Sequence, residues 1–450
     1  MSAQPEVVVI GGGFAGLSAA SLLAGHGTRV LVVDARPQLG GRATAFTDRT
    51  TGELVDNGQH VLFGCYYQTL DFLRRIGAEG NVRFQASLEI PYIDGAGQRS
   101  VLRCPPLPSP YHLLAAVLDW DAMPWRDRLN AVRLAGPLRR ARRDLDRTGA
   151  VAFGGTATVA DWLEAHGQGA TLRAWLWEPL AVAALNQPVD QAAAAPFIRV
   201  LAEMFGPDPR AAALVLPTTP LHLMYAEPAR AFITARGGEV RTNALARLVI
   251  RGGMVDGVDI RGERITAPHV IAAVPWFAMR ALLGPEPPAA LAPLLARCEA
   301  MHSMPIVTVN LWYDRTVMDD AFVGLPGREM QWVFDKRAVF GEAASHLSLV
   351  SSGATALTGM SAEDLTALAA REVAEALPRA RAATLLRSTV VREKRATFSL
   401  APGQPSRPGN VTPVEGLLLA GDWTDTGMPG TIESAVMSGH RAAQTILAAR

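Results

Sequence analysis

The chain has 450 residues, 49% hydrophobic and 19% charged, with 43 basic against 42 acidic side chains. A formal charge of +1 on so apolar a chain excludes a disordered polymer and a globally basic nucleic-acid binder, and the length predicts more than one domain. Cys65, Cys104 and Cys298 form no CxxC pair, which excludes a zinc site or disulfide framework of the usual spacing and points to a reducing compartment.

From the N-terminus, Val7-Val8-Val9-Ile10 is a β-branched run suited to a parallel strand buried on both faces. It leads into Gly11-Gly12-Gly13-Phe14-Ala15-Gly16, a GxGxxG match at Gly11, Gly13 and Gly16, with helix formers from Leu17 to Ala24. Val30 to Val33 predicts a second strand ending in Asp34, with Ala35 and Arg36 behind it. In such a loop the first glycine allows the tight turn, the second admits a pyrophosphate, and the third lets helix and strand pack closely. The helix opens at Phe14 and Ala15, whose free N–H groups can face phosphates. Asp34, eighteen residues after Gly16, is placed to accept hydrogen bonds from a ribose diol. A glycine-rich structural turn would leave that acid unexplained, so the segment predicts dinucleotide binding.

Two polar stretches follow, Gln38-Leu39-Gly40-Gly41-Arg42 and Asp56-Asn57-Gly58-Gln59-His60. Residues 89–219 are then rich in Leu, Ala and Arg, with helical spacing and proline breaks. Within them Arg126 to Arg147 carry eight arginines and three acids, just after Trp120 and Trp125. Arginine on one face with Trp and Leu on another suits a helix lying on an anionic membrane, which makes 110–147 a candidate membrane-facing segment. A solvated helix beside ordinary core tryptophans is the alternative. No apolar run approaches the roughly eighteen residues of a bilayer span. The first motif begins too early to leave room for a secretory leader. The expected location is the cytoplasm, with a peripheral hold on the inner membrane surface if the basic segment docks there.

Further on, 220–285 predicts a helix ending near Gly237-Gly238, a short strand at Glu239 and Val240, and a hairpin turning at Gly252-Gly253. A buried strand follows within 267–275. Residues 290–400 contain strand-like 306–313 and 345–351 and an amphipathic helix across 362–377. No second GxGxxG occurs, so no separate NAD(P)H site is expected and the electron donor has no signature. Finally, Leu417-Leu418-Leu419-Ala420-Gly421-Asp422 reads as a strand ending in Gly-Asp, and Gly430-Thr431-Ile432-Glu433-Ser434-Ala435 opens a last helix.

The Gly40-Gly41-Arg42 loop, the 56–60 segment and this C-terminal pair together resemble the flavin amine oxidase and carotenoid desaturase superfamily. The resemblance implies FAD rather than NAD, bound noncovalently, and no metal. It places Gly41 and Arg42 at the FAD phosphates, Asn57, Gly58, Gln59 and His60 along the flavin, and the backbone at Val240 against the adenine. It places Gly421 and Asp422 at the ribityl–pyrophosphate region, and the helix opened by Gly430, Thr431 and Ile432 at the pyrimidine. The implied fold is α/β: a discontinuous Rossmann-type FAD-binding domain (1–88, 220–285 and 401–450) with an inserted α+β substrate domain (89–219 and 286–400).

Within the superfamily, Asp56-Asn57-Gly58-Gln59-His60-Val61-Leu62, Leu176-Trp177-Glu178-Pro179-Leu180, Glu393-Lys394-Arg395-Ala396-Thr397-Phe398 and Ala420-Gly421-Asp422-Trp423-Thr424-Asp425-Thr426-Gly427 resemble the hydroxysqualene dehydroxylases of bacterial hopanoid synthesis, also called squalene-associated FAD-dependent desaturases. Amine oxidases usually carry a lysine in a substrate-domain strand near the flavin. Met301 to Tyr313 has none, which argues against an amine substrate. The resemblance implies reductive loss of an allylic hydroxyl from an apolar C30 isoprenoid, giving squalene, with a hydroxysqualene synthase as the upstream partner. Carotenoid desaturation is the alternative, and a non-catalytic prenyl-lipid carrier like the Rab GDP-dissociation inhibitors is a third reading. An acid is needed on the leaving oxygen. Asp425, expected to be desolvated among Trp423, Met428 and Pro429, is the first candidate, Glu178 the second and His60 the third.

Overall fold

The computed structural model describes residues 4–48, 52–151, 156–342 and 345–450. Its centre is a parallel sheet of five strands in the order Glu239–Arg241, Val30–Val33, Val7–Ile10, His269–Ala272 and Leu417–Leu419. Every residue of Val7–Ile10 is buried, as the unbroken β-branched run predicts for a strand covered on both faces. Helices Phe14–Gly25 and Ile432–Ala448 pack closely together beside it. A Cβ on Gly439 would stand 2.2 Å from the Ala15 carbonyl oxygen, so the two helices meet backbone to backbone. The hairpin turning at Gly252-Gly253 is present, as Ala246–Arg251 and Met254–Ile260, with a third strand at Glu263–Ile265.

The second layer is a mixed sheet of seven strands, ordered Leu385–Phe398, Ser303–Tyr313, Ser345–Ser352, Trp332–Asp335, Phe322–Gly324, Glu89–Ile93 and Arg99–Arg103. Along Ser303–Tyr313 the side chains alternate. Val307, Val309 and Leu311 join the core that packs on helix Ala362–Ala376, which leaves Thr308, Asn310 and Trp312 for the opposite face. A third, small sheet of Leu62–Phe63, Leu214–Pro217 and Val82–Phe84 lies beside the two.

Three expectations change. Residues 89–219 are not helical throughout, because 89–103 folds as a hairpin in the seven-stranded sheet. The basic segment is three helices, Tyr111–Asp119, Trp125–Val132 and Ala135–Thr148, rather than one. Its tryptophans part company. Trp120 is 2% exposed and packs on Tyr92 and Trp175, whereas Trp125 is 61% exposed.

Helix Tyr67–Arg75 is pinned to the C-terminal helix at both ends. The Glu433 carboxylate accepts the backbone N–H groups of Gln68 and Thr69 and the Thr69 hydroxyl, capping a helix other than its own. One turn and more along, His440 is held between the Gln68 side-chain oxygen at its Nδ1 and the Arg75 guanidinium at its Nε2. A guanidinium can only donate, so Nε2 must accept and the ring must be neutral. Burial and the facing Arg75 charge push this imidazole down to about 4, against the pull of Asp71. A depressed histidine contributes stability above its unfolded value, 6.5, and loses it as pH falls toward the folded one. At about 1.4 kcal/mol per pH unit, the wild type is expected to lose up to about 3 kcal/mol relative to His440→Gln between pH 6.5 and 4. Burial moves Glu433 the other way, up to about 7, so the difference between the two proteins in denaturant titrations, rather than either curve, is the measurement.

Candidate functional site

The glycines of the first loop have different duties. Gly11 has φ +114°, and a Cβ there would stand 2.3 Å from the Ala273 carbonyl oxygen; one on Gly16 would stand 1.9 Å from that of Gly11. Both are required by close backbone packing. Gly13 is not, since the nearest atom its Cβ would meet is the Gly41 Cα at 3.7 Å. It keeps open the groove between its own loop and the Gly40-Gly41-Arg42 loop. Helix Phe14–Gly25 starts there with no side-chain cap and no acid in its first turn. Uncapped N–H groups at a buried helix start are a ready cradle for phosphate.

Asp34 anchors this loop: Oδ2 accepts the Gly12 N–H at 2.7 Å and Oδ1 that of Arg36 at 2.8 Å. Ala35 and the Arg36 side chain are exposed, and Arg36 reaches back to the Gly41 carbonyl. Val240 lies on the edge strand. Arg241 turns its carbonyl inward to the Asp34 N–H, so alternation leaves the Val240 N–H and C=O on the open edge, where an adenine can pair.

The two halves of the site meet at an ion pair between Arg42 and Asp422, residues 380 apart in sequence. Arg42 also donates to the Ala396 carbonyl and lies over the Trp276 ring. Asn57 steadies the same loop by donating to the Arg42 carbonyl. Gly421, at φ +153°, has no room for a Cβ against Trp423. Gly430 packs beside Asp422, and Thr431 caps the last helix by accepting the Ser434 N–H, leaving the Ile432 N–H at its open end. Gly58 abuts Thr308, whose hydroxyl is buried and has no partner among the described residues. His60 contacts the Gly58 carbonyl through Nδ1, and burial pushes the ring below its ordinary value. An uncapped helix start, a glycine-lined groove and an orphaned hydroxyl fit the FAD that the resemblance implies.

The acid candidates fare differently. Asp425 is not desolvated: its side chain is 63% exposed and its nearest charge is Arg407 at 3.7 Å. The turn buries Trp423, Thr424, Thr426 and Met428, and the alternating residues Asp425 and Gly427 face out. Glu178 begins helix Glu178–Leu185 half-buried, and the cavity described next takes Trp177 and Leu180 but not Glu178 into its wall. Neither carboxyl therefore lines the cavity.

What sequence reading missed is Lys336. It is 1% exposed, and its ammonium lies 3.0 Å from Asp56 and 2.6 Å from the Gln59 side-chain oxygen. The signal was faint but present, because the chain has only two lysines and one stands beside Asp335 in a strongly apolar stretch. Gln59 in turn opens into a cavity of about 1510 Å³, counting its mouth. The walls come from the helices of 111–148, from strands of the seven-stranded sheet, and from Phe63 and Tyr66. Apart from Gln59, Ser352 and Cys104 they are wholly aliphatic or aromatic.

The family model for flavin containing amine oxidoreductases matches residues 14–447. A hydroxysqualene dehydroxylase of Rhodopseudomonas palustris is 30% identical over 98% of both chains. A 15-cis-phytoene desaturase of Synechococcus elongatus is 24% identical, covering 98% of this chain and 96% of that one. Among solved structures, an oxidoreductase from Methanosarcina mazei superposes with a TM-score of 0.75 at 17% identity, over 97% of this chain and 99% of that one. With a family match across nearly the whole chain and a full-length relative in agreement, the chain belongs to the flavin-containing amine oxidoreductases and is an FAD-dependent oxidoreductase.

Proposed function

We propose that the protein removes the hydroxyl of hydroxysqualene reductively, giving squalene. The carrying observation is the apolar cavity that reaches the 56–60 segment, read together with full-length similarity to a hydroxysqualene dehydroxylase. FAD, when bound and reduced, supplies the hydride that replaces the hydroxyl. The chain's part is to enclose a long hydrocarbon, to hold its carbinol end beside 57–60, and to keep water from competing for the developing allylic cation. In this reading Gly11–Gly16, Asp34 to Arg36, Gly41, Arg42, Val240, Asp422 and 430–432 bind the cofactor, on the segments 1–88, 220–285 and 401–450. The segments 89–219 and 286–400 build the cavity. Anaerobically reduced protein mixed with hydroxysqualene is expected to reoxidise its flavin and yield squalene, while oxidised protein leaves phytoene unchanged. New double bonds in phytoene with no squalene formed would overturn the reading in favour of carotenoid desaturation.

The same reading extends to an anionic membrane surface. The inner faces of 111–119, 125–132 and 135–148 line the cavity through Leu113, Val117, Val132 and Leu138. Their outer side exposes Tyr111 (57%) and Trp125 (61%), with Leu129 (46%) one turn beyond Trp125. Arg126 on that helix and Arg133 just past its end are exposed. Apolar anchors ringed by arginine suit a bilayer of acidic lipids, and a lipid-borne substrate would then enter from the layer that dissolves it. No helix among the described residues is long and apolar enough to cross a membrane. In flotation with phosphatidylglycerol-rich vesicles, Trp125→Ala with Leu129→Ala is expected to cut binding at least about tenfold. Unchanged flotation would remove this face from consideration.

A further inference from the structure

We infer that Gln59 is the hydrogen-bond donor that holds the substrate's oxygen, and that buried Lys336 and Asp56 aim it; this rests on the reaction proposed above. The Lys336 ammonium has three donors and no acceptor, so it can face Gln59 only through the amide oxygen. Asp56, itself buried, pairs with the ammonium through Oδ2 and takes the Leu221 N–H at Oδ1. The ring of Phe340 lies 4.2 Å from the ammonium on another side. An ammonium in such surroundings is costly to bury unless its partners stay in place, so the amide cannot flip.

With its oxygen committed, the Gln59 NH₂ group is what remains for the cavity. One of its N–H bonds goes to the His60 carbonyl at 3.2 Å. The second has no acceptor among the described residues, and Gln59 lies in the cavity wall. A donor that cannot become an acceptor recognises an alcohol or ether oxygen and finds nothing on a hydrocarbon. Ser352 and the hydroxyls of Tyr66 and Tyr92, the other oxygen-bearing side chains of the wall, can rotate to donate or accept and so discriminate less. The amide would also stabilise charge growing on the departing oxygen. Once the hydroxyl is gone the N–H is left unsatisfied, which favours release of the hydrocarbon over the alcohol.

The test is a pair of titrations of the FAD-loaded protein, following the flavin absorbance change with detergent-dispersed hydroxysqualene and then squalene. Wild type is expected to bind the alcohol about tenfold more tightly than the hydrocarbon, the worth of one buried hydrogen bond. Gln59→Leu should bind both alike, with squalene affinity unchanged. Gln59→Glu, which keeps a partner for Lys336 and the side-chain shape but offers acceptors only, should also lose the preference. Retention of the full preference by both variants would overturn the role of Gln59 while leaving the reaction standing. A wild type that ignores the hydroxyl would instead overturn the reaction.

Discussion

Gly13→Glu is expected to purify folded but colourless. The groove at Gly13 is open, so a side chain can be accommodated without moving backbone. The carboxylate would then sit against the uncapped N–H groups at the start of Phe14–Gly25, supplying from the protein the negative charge that a pyrophosphate would bring. Loss of flavin absorbance with an intact far-ultraviolet spectrum is the expected result. Gly16→Ala is the contrasting control. Its Cβ collides with the Gly11 carbonyl oxygen at 1.9 Å, so it is expected to cost folding itself. A yellow Gly13→Glu protein with normal FAD content would mean that the phosphates lie elsewhere.

Lys336→Met should produce the largest loss of stability of any single change at the cavity. It leaves Asp56 buried without its counter-charge, and breaking such a pair typically costs about 3–5 kcal/mol. Adding Asp56→Asn removes the stranded charge while keeping an acceptor for the Leu221 N–H, so the double variant is expected to recover most of the loss. Urea midpoints of the four proteins form the cycle. A single variant as stable as wild type would show that the ammonium is not held as the distances indicate.

The N-terminal strand, glycine loop and helix were legible because their pattern is local. Glycine spacing, a strand that must be apolar throughout and an acid at its end are all written within a few dozen residues. The resemblance put Arg42 and Asp422 at one cofactor, but their direct pairing, across 380 residues, shows only in the structure. Lys336 was not legible. Its partners are Asp56 and Gln59, nearly three hundred residues upstream, and no periodicity announces which of two lysines is buried. Asp425 was misjudged for a related reason. Its apolar neighbours in sequence do not surround it, because this turn buries Trp423, Thr424, Thr426 and Met428 and leaves Asp425 facing out. Trp120 and Trp125 make the same point within one short segment: identical side chains, one in the core and one on the surface. The long strand Leu385–Phe398 escaped notice because its charged residues hide a pairing that runs almost the whole length of Ser303–Tyr313.

The order of the parallel sheet bears on how the protein is made. Val7–Ile10 is made before the other strands of this sheet, yet its neighbour His269–Ala272 is translated much later, and Leu417–Leu419 closes the far edge later still. Until that last strand arrives, the nascent chain carries an open parallel edge, the kind of surface that invites aggregation. Arg42 likewise waits for Asp422 through 380 residues of synthesis. The Arg42–Asp422 pair therefore closes only once residue 422 has been made, and a chain stopped short of residue 417 would lack both the sheet edge and that ion pair.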